Sequence, residues 1–453
     1  MSAWKDSGSF HLRSGGKLVG FFLVAALAAA SMWFYVDRIL VSYQVADAAA
    51  HHRPRGNLSD LYPRWLGARE LLLHGRNPYS DDVTIEIEKG YYGRALDPAR
   101  ADDPKDRQGF AYPVYVAFVL APLIGLPFHE VQIFFHWLLL VVTAGSVWLW
   151  LKALRWKLPW LAMAAAMALT LGSVPGVQGI KLQQLSLLVA GLLAAAAACI
   201  ASGYLFCGGA LLALATIKPQ LAWLFVGWLL VWAVSDWRAR RRLVFGFGLV
   251  MVVLLGGAEI VLPGWLGKFT AALGQYHRYT QNQSVLDQLV PWGFAGKILA
   301  AAAVIGCAFF LWKVRRKPGD AAEVGEAMAL VMALTVLVVP MYAPYNQVLL
   351  VPAILVLVRD RAIFLSQSRV RRFAYLVGVL VVGWEWAASL SLSAIYLVGT
   401  RAWAMERWKW PFLATFALPV WMFALIFFCV NKSGAESKGG VVIRGSELTS
   451  DPA

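Results

Sequence analysis

Apolar runs of about 20 residues, the length a helix needs to cross a bilayer, recur along almost the whole chain. The first lies near 17–36. Others lie near 129–152, 159–176, 183–202, 204–217, 219–235, 242–262, 292–313, 325–341, 344–358, 372–392 and 411–431. The pattern therefore predicts an all-α polytopic membrane protein with about 12 transmembrane helices and one membrane domain over 1–431. The polar segment 37–109 is predicted to form a first outer loop. The apolar stretch 110–127 carries Pro113, Pro122 and Pro127, which remove backbone donors and bend helices. It is predicted to be a re-entrant element that dips into the membrane without crossing it. The Gly- and Ser-containing segment 432–453 is predicted to be a disordered tail.

Inside the polar loop one shorter periodicity stands out. Leu61, Trp65, Ala68 and Leu72 recur at i, i+4, i+7 and i+11, one face of an amphipathic helix. Gly75 and Asn77-Pro78 stop it. Asp60 stands at its start. This juxtamembrane helix is expected to hold a carboxylate at the lipid–water boundary.

Composition agrees with the pattern and sets the orientation. Of 453 residues, 59% are hydrophobic and only 15% are charged, which leaves little room for a soluble module. The excess of 41 Lys and Arg over 26 Asp and Glu is gathered in short clusters between spans, as cytoplasmic loops require. It is therefore read as membrane orientation, and no nucleic-acid partner is expected. Parity places both termini in the cytoplasm of a cell inner (cytoplasmic) membrane. The polar turns carrying Asp60, Tyr112, Gln184 and Lys218, with the segments 276–288 and 341–346, then share the outer face. The four cysteines lie in apolar runs without metal-site spacing. The sequence has no His-Glu-x-x-His, Walker loop or dinucleotide fingerprint, and no metal or cofactor is expected. Asp81, Asp82, Glu86 and Glu88 are read as a solvated loop face.

Several residues can carry chemistry, and each has a plainer reading. Asp60 can act as a general base or simply cap a helix. Lys218 can bind phosphate or snorkel to the membrane edge. Arg64 can bind phosphate or pair with Asp60 one turn away. His277 and Arg278 can meet a phosphate or face solvent. Gln184, Asn282 and Ser284 can bind sugar hydroxyls, although Gln184 can equally join helices. Tyr62, Tyr112 and Tyr345, with Asn346, fit a sugar-binding wall, and aromatic residues also gather at membrane interfaces.

Six segments, in order, resemble glycosyltransferase family 87 of the GT-C superfamily. They are Ser59-Asp60-Leu61-Tyr62, the stretch 73–79 ending in Asn77-Pro78-Tyr79, and Phe110-Ala111-Tyr112-Pro113 with Ala121-Pro122. Leu182-Gln183-Gln184-Leu185-Ser186, Ile217-Lys218-Pro219 and Asn282-Gln283-Ser284-Val285 complete the set. The resemblance covers roughly 55–360. Two features depart from the family pattern: Gln183 stands where glycine is usual, and 340–346 lacks the family's Ser-Trp and His.

The resemblance implies a GT-C-like fold and a hexosyltransferase, a mannosyltransferase among the possibilities. Its donor would be a polyprenyl-phosphate sugar, its acceptor a lipid or glycan, and membrane lipids would surround it. An acid in the first outer loop serves such enzymes as base, and here that position is Asp60. Two rival expectations are a transporter or flippase of lipid-linked glycan and a non-catalytic scaffold. A transporter would favour charges along span interiors, whereas here the polar residues gather on one face.

Overall fold

The computed structural model describes residues 15–439 except Arg55, Asn57, Gln281, Asn282, Met341 and Gln367. Of the candidate site residues, Asn282 falls outside the described residues, as does 440–453 of the predicted tail. Among the described residues the fold is helical throughout, without strands.

Among the described residues six helices are long and apolar enough to cross a membrane: Gly15–Ala50, Phe128–Ala153, Trp237–Val261, Ala295–Val314, Arg369–Val398 and Arg401–Val430. A bent pair, Trp160–Leu171 with Val174–Lys181, makes a seventh if counted as one span. The chain is thus polytopic, but the lengths do not reach the predicted twelve. The reason is visible in the turns. Gly203, at φ +83°, and Pro219, in the first turn of its helix, cut the middle of the chain into Leu185–Ala201, Leu205–Ala215 and Pro219–Val234. At 17, 11 and 16 residues they lie at or below the shortest length that crosses a bilayer, roughly 17 residues.

Two boundaries also differ from expectation. The first helix continues past residue 36 through a π turn at Val36–Leu40 and ends only at Ala50. The last helix runs to Gly439. The stretch 110–127 forms only a short helix, Val116–Leu120, and a 3-10 turn, Ala121–Leu123. Neither can span a bilayer, in keeping with the prolines.

Packing centres on Ala322–Val338, which is buried at every position from Val324 to Leu337. A helix apolar all round belongs in a core. Elsewhere, Leu205–Ala215 lies almost backbone to backbone against Trp237–Val261. A Cβ at Gly209 would stand 2.0 Å from the Leu243 carbonyl, and one at Gly246 2.1 Å from that of Phe206. Small residues permit such an approach. Trp237–Val261 and Ala295–Val314 turn Val252, Ile260 and Ile305 outward, an apolar surface suited to lipid.

The predicted amphipathic helix forms over Tyr62–His74 and ends on Gly75 at φ +65°. Leu61, Trp65 and Ala68 are buried, but against protein: the helix packs on Val116–Leu120 and Asp81–Tyr92. The polar loop is itself ordered by ion pairs. Arg76 joins Glu70 at 2.6 Å and Glu86 at 2.8 Å, and Arg107 joins Glu88 at 2.6 Å and Asp81 at 2.9 Å. Of the four acids read as a solvated face, Asp81, Glu86 and Glu88 are therefore tied to arginines.

Candidate active site

Three turns converge on one cavity of about 300 Å³. The first, before Tyr62–His74, carries Asp60. The second joins Val174–Lys181 to Leu185–Ala201 and carries Gln183 and Gln184. The third precedes Pro219–Val234 and carries Lys218. Their backbones interlock: the Asp60 N–H donates to the Leu182 carbonyl at 2.9 Å, one of the carbonyls left open at the end of a helix.

Gln183 makes the second turn possible at a cost. It sits at φ +50°, the left-handed region that favours glycine. Its side-chain oxygen accepts a hydrogen bond from the Ser59 hydroxyl. The departure from glycine thus brings a contact glycine cannot make, and that contact ties the Asp60 turn to the Gln184 turn.

Asp60 is half-buried and both its carboxylate oxygens accept hydrogen bonds. Oδ1 accepts from the Tyr91 hydroxyl at 3.1 Å, and Oδ2 from the Gln184 amide. Burial pushes its pKa above the usual carboxylate range, opposed by Arg64, Tyr91, Lys218 and Gln184. The expected helix cap is not what forms: the Asp60 side chain faces the cavity, and Leu61 stands at the N-cap position without a side-chain bond.

Lys218 is only 5% exposed, so it does not snorkel. Its ammonium donates to Ser186 Oγ at 2.6 Å and to Gln184 Oε1 at 3.2 Å, and stands 5.1 Å from the centre of the Tyr345 ring. The Ser186 hydroxyl in turn donates to Asn346 Oδ1 at 2.8 Å. Arg64 donates to the Asp60 backbone carbonyl at 2.8 Å and lies 4.4 Å over the Tyr112 ring. Its buried Nε has no hydrogen-bond partner, nor has the buried Nδ1 of His277. Both residues line the cavity.

The cavity therefore gathers Asp60, Arg64, Tyr112, Gln184, Lys218, His277 and Tyr345. Asn346 stands behind Lys218. The other described candidates lie elsewhere. Tyr62 packs edge-on to Phe128 at 4.9 Å and close over Gly90. Arg278 is exposed. Ser284 caps the helix Val285–Leu289 in a reciprocal bond with Asp287. The Arg76-Asn77-Pro78-Tyr79 segment is architectural: Arg76 bridges Glu70 and Glu86, and the Tyr79 hydroxyl donates to the Tyr112 carbonyl at 2.7 Å.

Several residues at or beside the cavity carry no signal of that role in the sequence. Tyr91 reaches Asp60 from a helix with its own ordinary core pattern, and nothing in its spacing marks it. Asp106 and Gln108 enter from the charged loop, where neighbouring acids mask them. Phe269, Leu273 and Tyr276 come from Trp265–Thr280, an amphipathic helix whose inner face walls the cavity.

A half-buried acid and two buried cations thus share a small cavity in a polytopic helical membrane protein. The profile of glycosyltransferase family 87 matches residues 110–340, just over half of the chain, and the protein belongs to that family. No curated protein and no solved structure matches the chain.

Proposed function

We propose that this glycosyltransferase moves a hexose, mannose or a relative of it, from a polyprenyl-phosphate donor to a hydroxyl of a lipid-linked or glycan acceptor. The reading places the cavity at the outer face of the cytoplasmic membrane. The observation that carries it is the joining of Asp60 to Lys218 through Gln184, with Arg64 alongside, in one cavity.

Sugar transfer needs a base to take the acceptor proton as the bond to the anomeric carbon forms. It also needs positive charge where the phosphate departs. Asp60 fits the first role. A carboxylate raised above its ordinary range is a better proton acceptor once ionised. Lys218 and Arg64 fit the second: each is already stripped of water, so little reorganisation is needed as negative charge grows. His277 adds a donor or acceptor at the same cavity. A volume near the lower end of ligand pockets, roughly 300–1,000 Å³, suits the polar head of a lipid donor and leaves a long prenyl tail in the membrane.

The test is transfer from a radiolabelled polyprenyl-phosphate hexose by purified wild-type protein and Asp60→Asn in lipid. Wild-type turnover with loss in the folded variant supports the reading. Equal turnover by the variant removes Asp60 from the mechanism, and no wild-type turnover with any polyprenyl-phosphate hexose removes the donor.

A further inference from the structure

Part of the cavity wall is built by the loop ahead of Phe110 and by Trp265–Thr280, and of its residues only His277 has a role above. Asp106 and Gln108 line the cavity there, with Tyr276 and His277. Both loop residues precede the family match, which begins at residue 110, whereas Tyr276 and His277 lie within it.

The loop is held in a particular shape. Arg107 points away from the cavity to Glu88 and Asp81. The Asp106 backbone carbonyl accepts from the Tyr92 hydroxyl at 2.6 Å. Gln108 sits at φ +55°, and its backbone N–H and side-chain amide both donate to the Asp106 carboxylate, at 2.8 and 2.9 Å. Left-handed backbone at a non-glycine residue is uncommon and tends to be kept where a site needs it. Here it curls the glutamine back so that a carboxylate and an amide are presented together. In the same cavity the buried His277 Nδ1 lacks a partner.

We infer that Asp106, Gln108 and His277 form a subsite for the ring hydroxyls of a hexose. A carboxylate has several lone-pair positions and accepts from neighbouring hydroxyls, while the amide and imidazole each donate or accept. A carboxylate disfavours phosphate, which this assignment leaves to Lys218 and Arg64, so that different residues of one cavity serve the anion and the polyol. This rests on the glycosyl-transfer reading for its meaning in catalysis, but hexoside binding can be measured without it. The ring bound is either the transferred sugar or the acceptor sugar, and the two have the same chemistry.

The experiment uses full-length protein in nanodiscs and saturation-transfer NMR with methyl α-mannoside and methyl α-glucoside. Asp106→Ala is expected to weaken hexoside binding at least fivefold and Asp106→Asn less, with elution and thermal melting showing that both are folded. Gln108→Ala, which leaves the charge in place, is expected to weaken it about threefold. Unchanged binding in all three folded variants, or no binding by the wild type, overturns the inference. In the transfer assay, a raised KM for the polyprenyl donor assigns the wall to the transferred sugar. A raised KM for an alkyl hexoside acceptor assigns it to the acceptor. If the wild type consumes no polyprenyl-phosphate hexose, the donor reading fails while hexoside binding at Asp106 stands on its own result.

Discussion

Lys218 and Asp60 are joined through a single side chain: the Gln184 amide donates to the Asp60 carboxylate while its carbonyl accepts from the Lys218 ammonium. An amide in that position is polarised from both ends, and each charge is stabilised by it without forming a direct ion pair. The two charges stay available to a substrate.

Asp60→Asn keeps the size of the side chain and removes the base. Turnover is expected to fall by roughly 10²- to 10⁴-fold, the usual contribution of general-base catalysis. Melting temperature should be equal or higher, because a carboxylate buried at a cost is gone. Transfer assays and differential scanning fluorimetry on the same preparations check both.

Lys218→Met separates function from folding. Replacing a buried charge by an apolar side chain of similar size is often neutral or stabilising. The fold should therefore survive, while activity drops about 10²-fold or more with the loss of a phosphate donor. A variant that melts far below wild type would show Lys218 to be structural.

Activity should depend on pH through Asp60 with a definite sign. The base must be ionised, so turnover is present above its pKa and lost as pH falls through it. Burial raises that pKa, and the acid limb should lie above the ordinary carboxylate range. Tyr91→Phe removes a donor to the ionised form and should move the limb to still higher pH. Stability runs the other way. A carboxyl with a raised folded pKa is most favourable below its unfolded pKa, and that contribution is lost as pH rises through the folded value.

Ser59→Ala should cost about 1–3 kcal/mol, because it takes the hydroxyl from the buried Gln183 oxygen. Gln183→Gly should be nearly neutral, since relief of the left-handed backbone offsets loss of the same bond. Chemical denaturation of both variants distinguishes this balance from a simple loss.

Much of this arrangement is legible in the sequence, for reasons that differ residue by residue. The short helix after Asp60 shows itself by periodicity and by Gly75. The failure of 110–127 to span follows from its prolines, and Lys218 declares itself as a charge in an apolar hairpin. Hydropathy registers apolar length but not the breaks at Gly203 and Pro219 that divide it, so only part of the count of about 12 spans is matched by long continuous helices. Tyr62 was grouped with the site because it neighbours Asp60 in sequence, yet a helix turns successive side chains about 100° apart and sends this one toward Phe128. Tyr91, Asp106 and Gln108 were missed because their roles arise only when distant segments meet.

The bend of 59° between Trp160–Leu171 and Val174–Lys181 has a mechanical consequence. A span without a joint answers a thicker or thinner bilayer by tilting as one rod, and the Gln183–Gln184 turn at its end would swing with it. With a joint, the 160–171 half can lean to match the local hydrocarbon thickness while the 174–181 half stays packed against 344–350. Turnover in bilayers of different acyl-chain length should accordingly vary little, and straightening the joint should make the enzyme sensitive to its lipid.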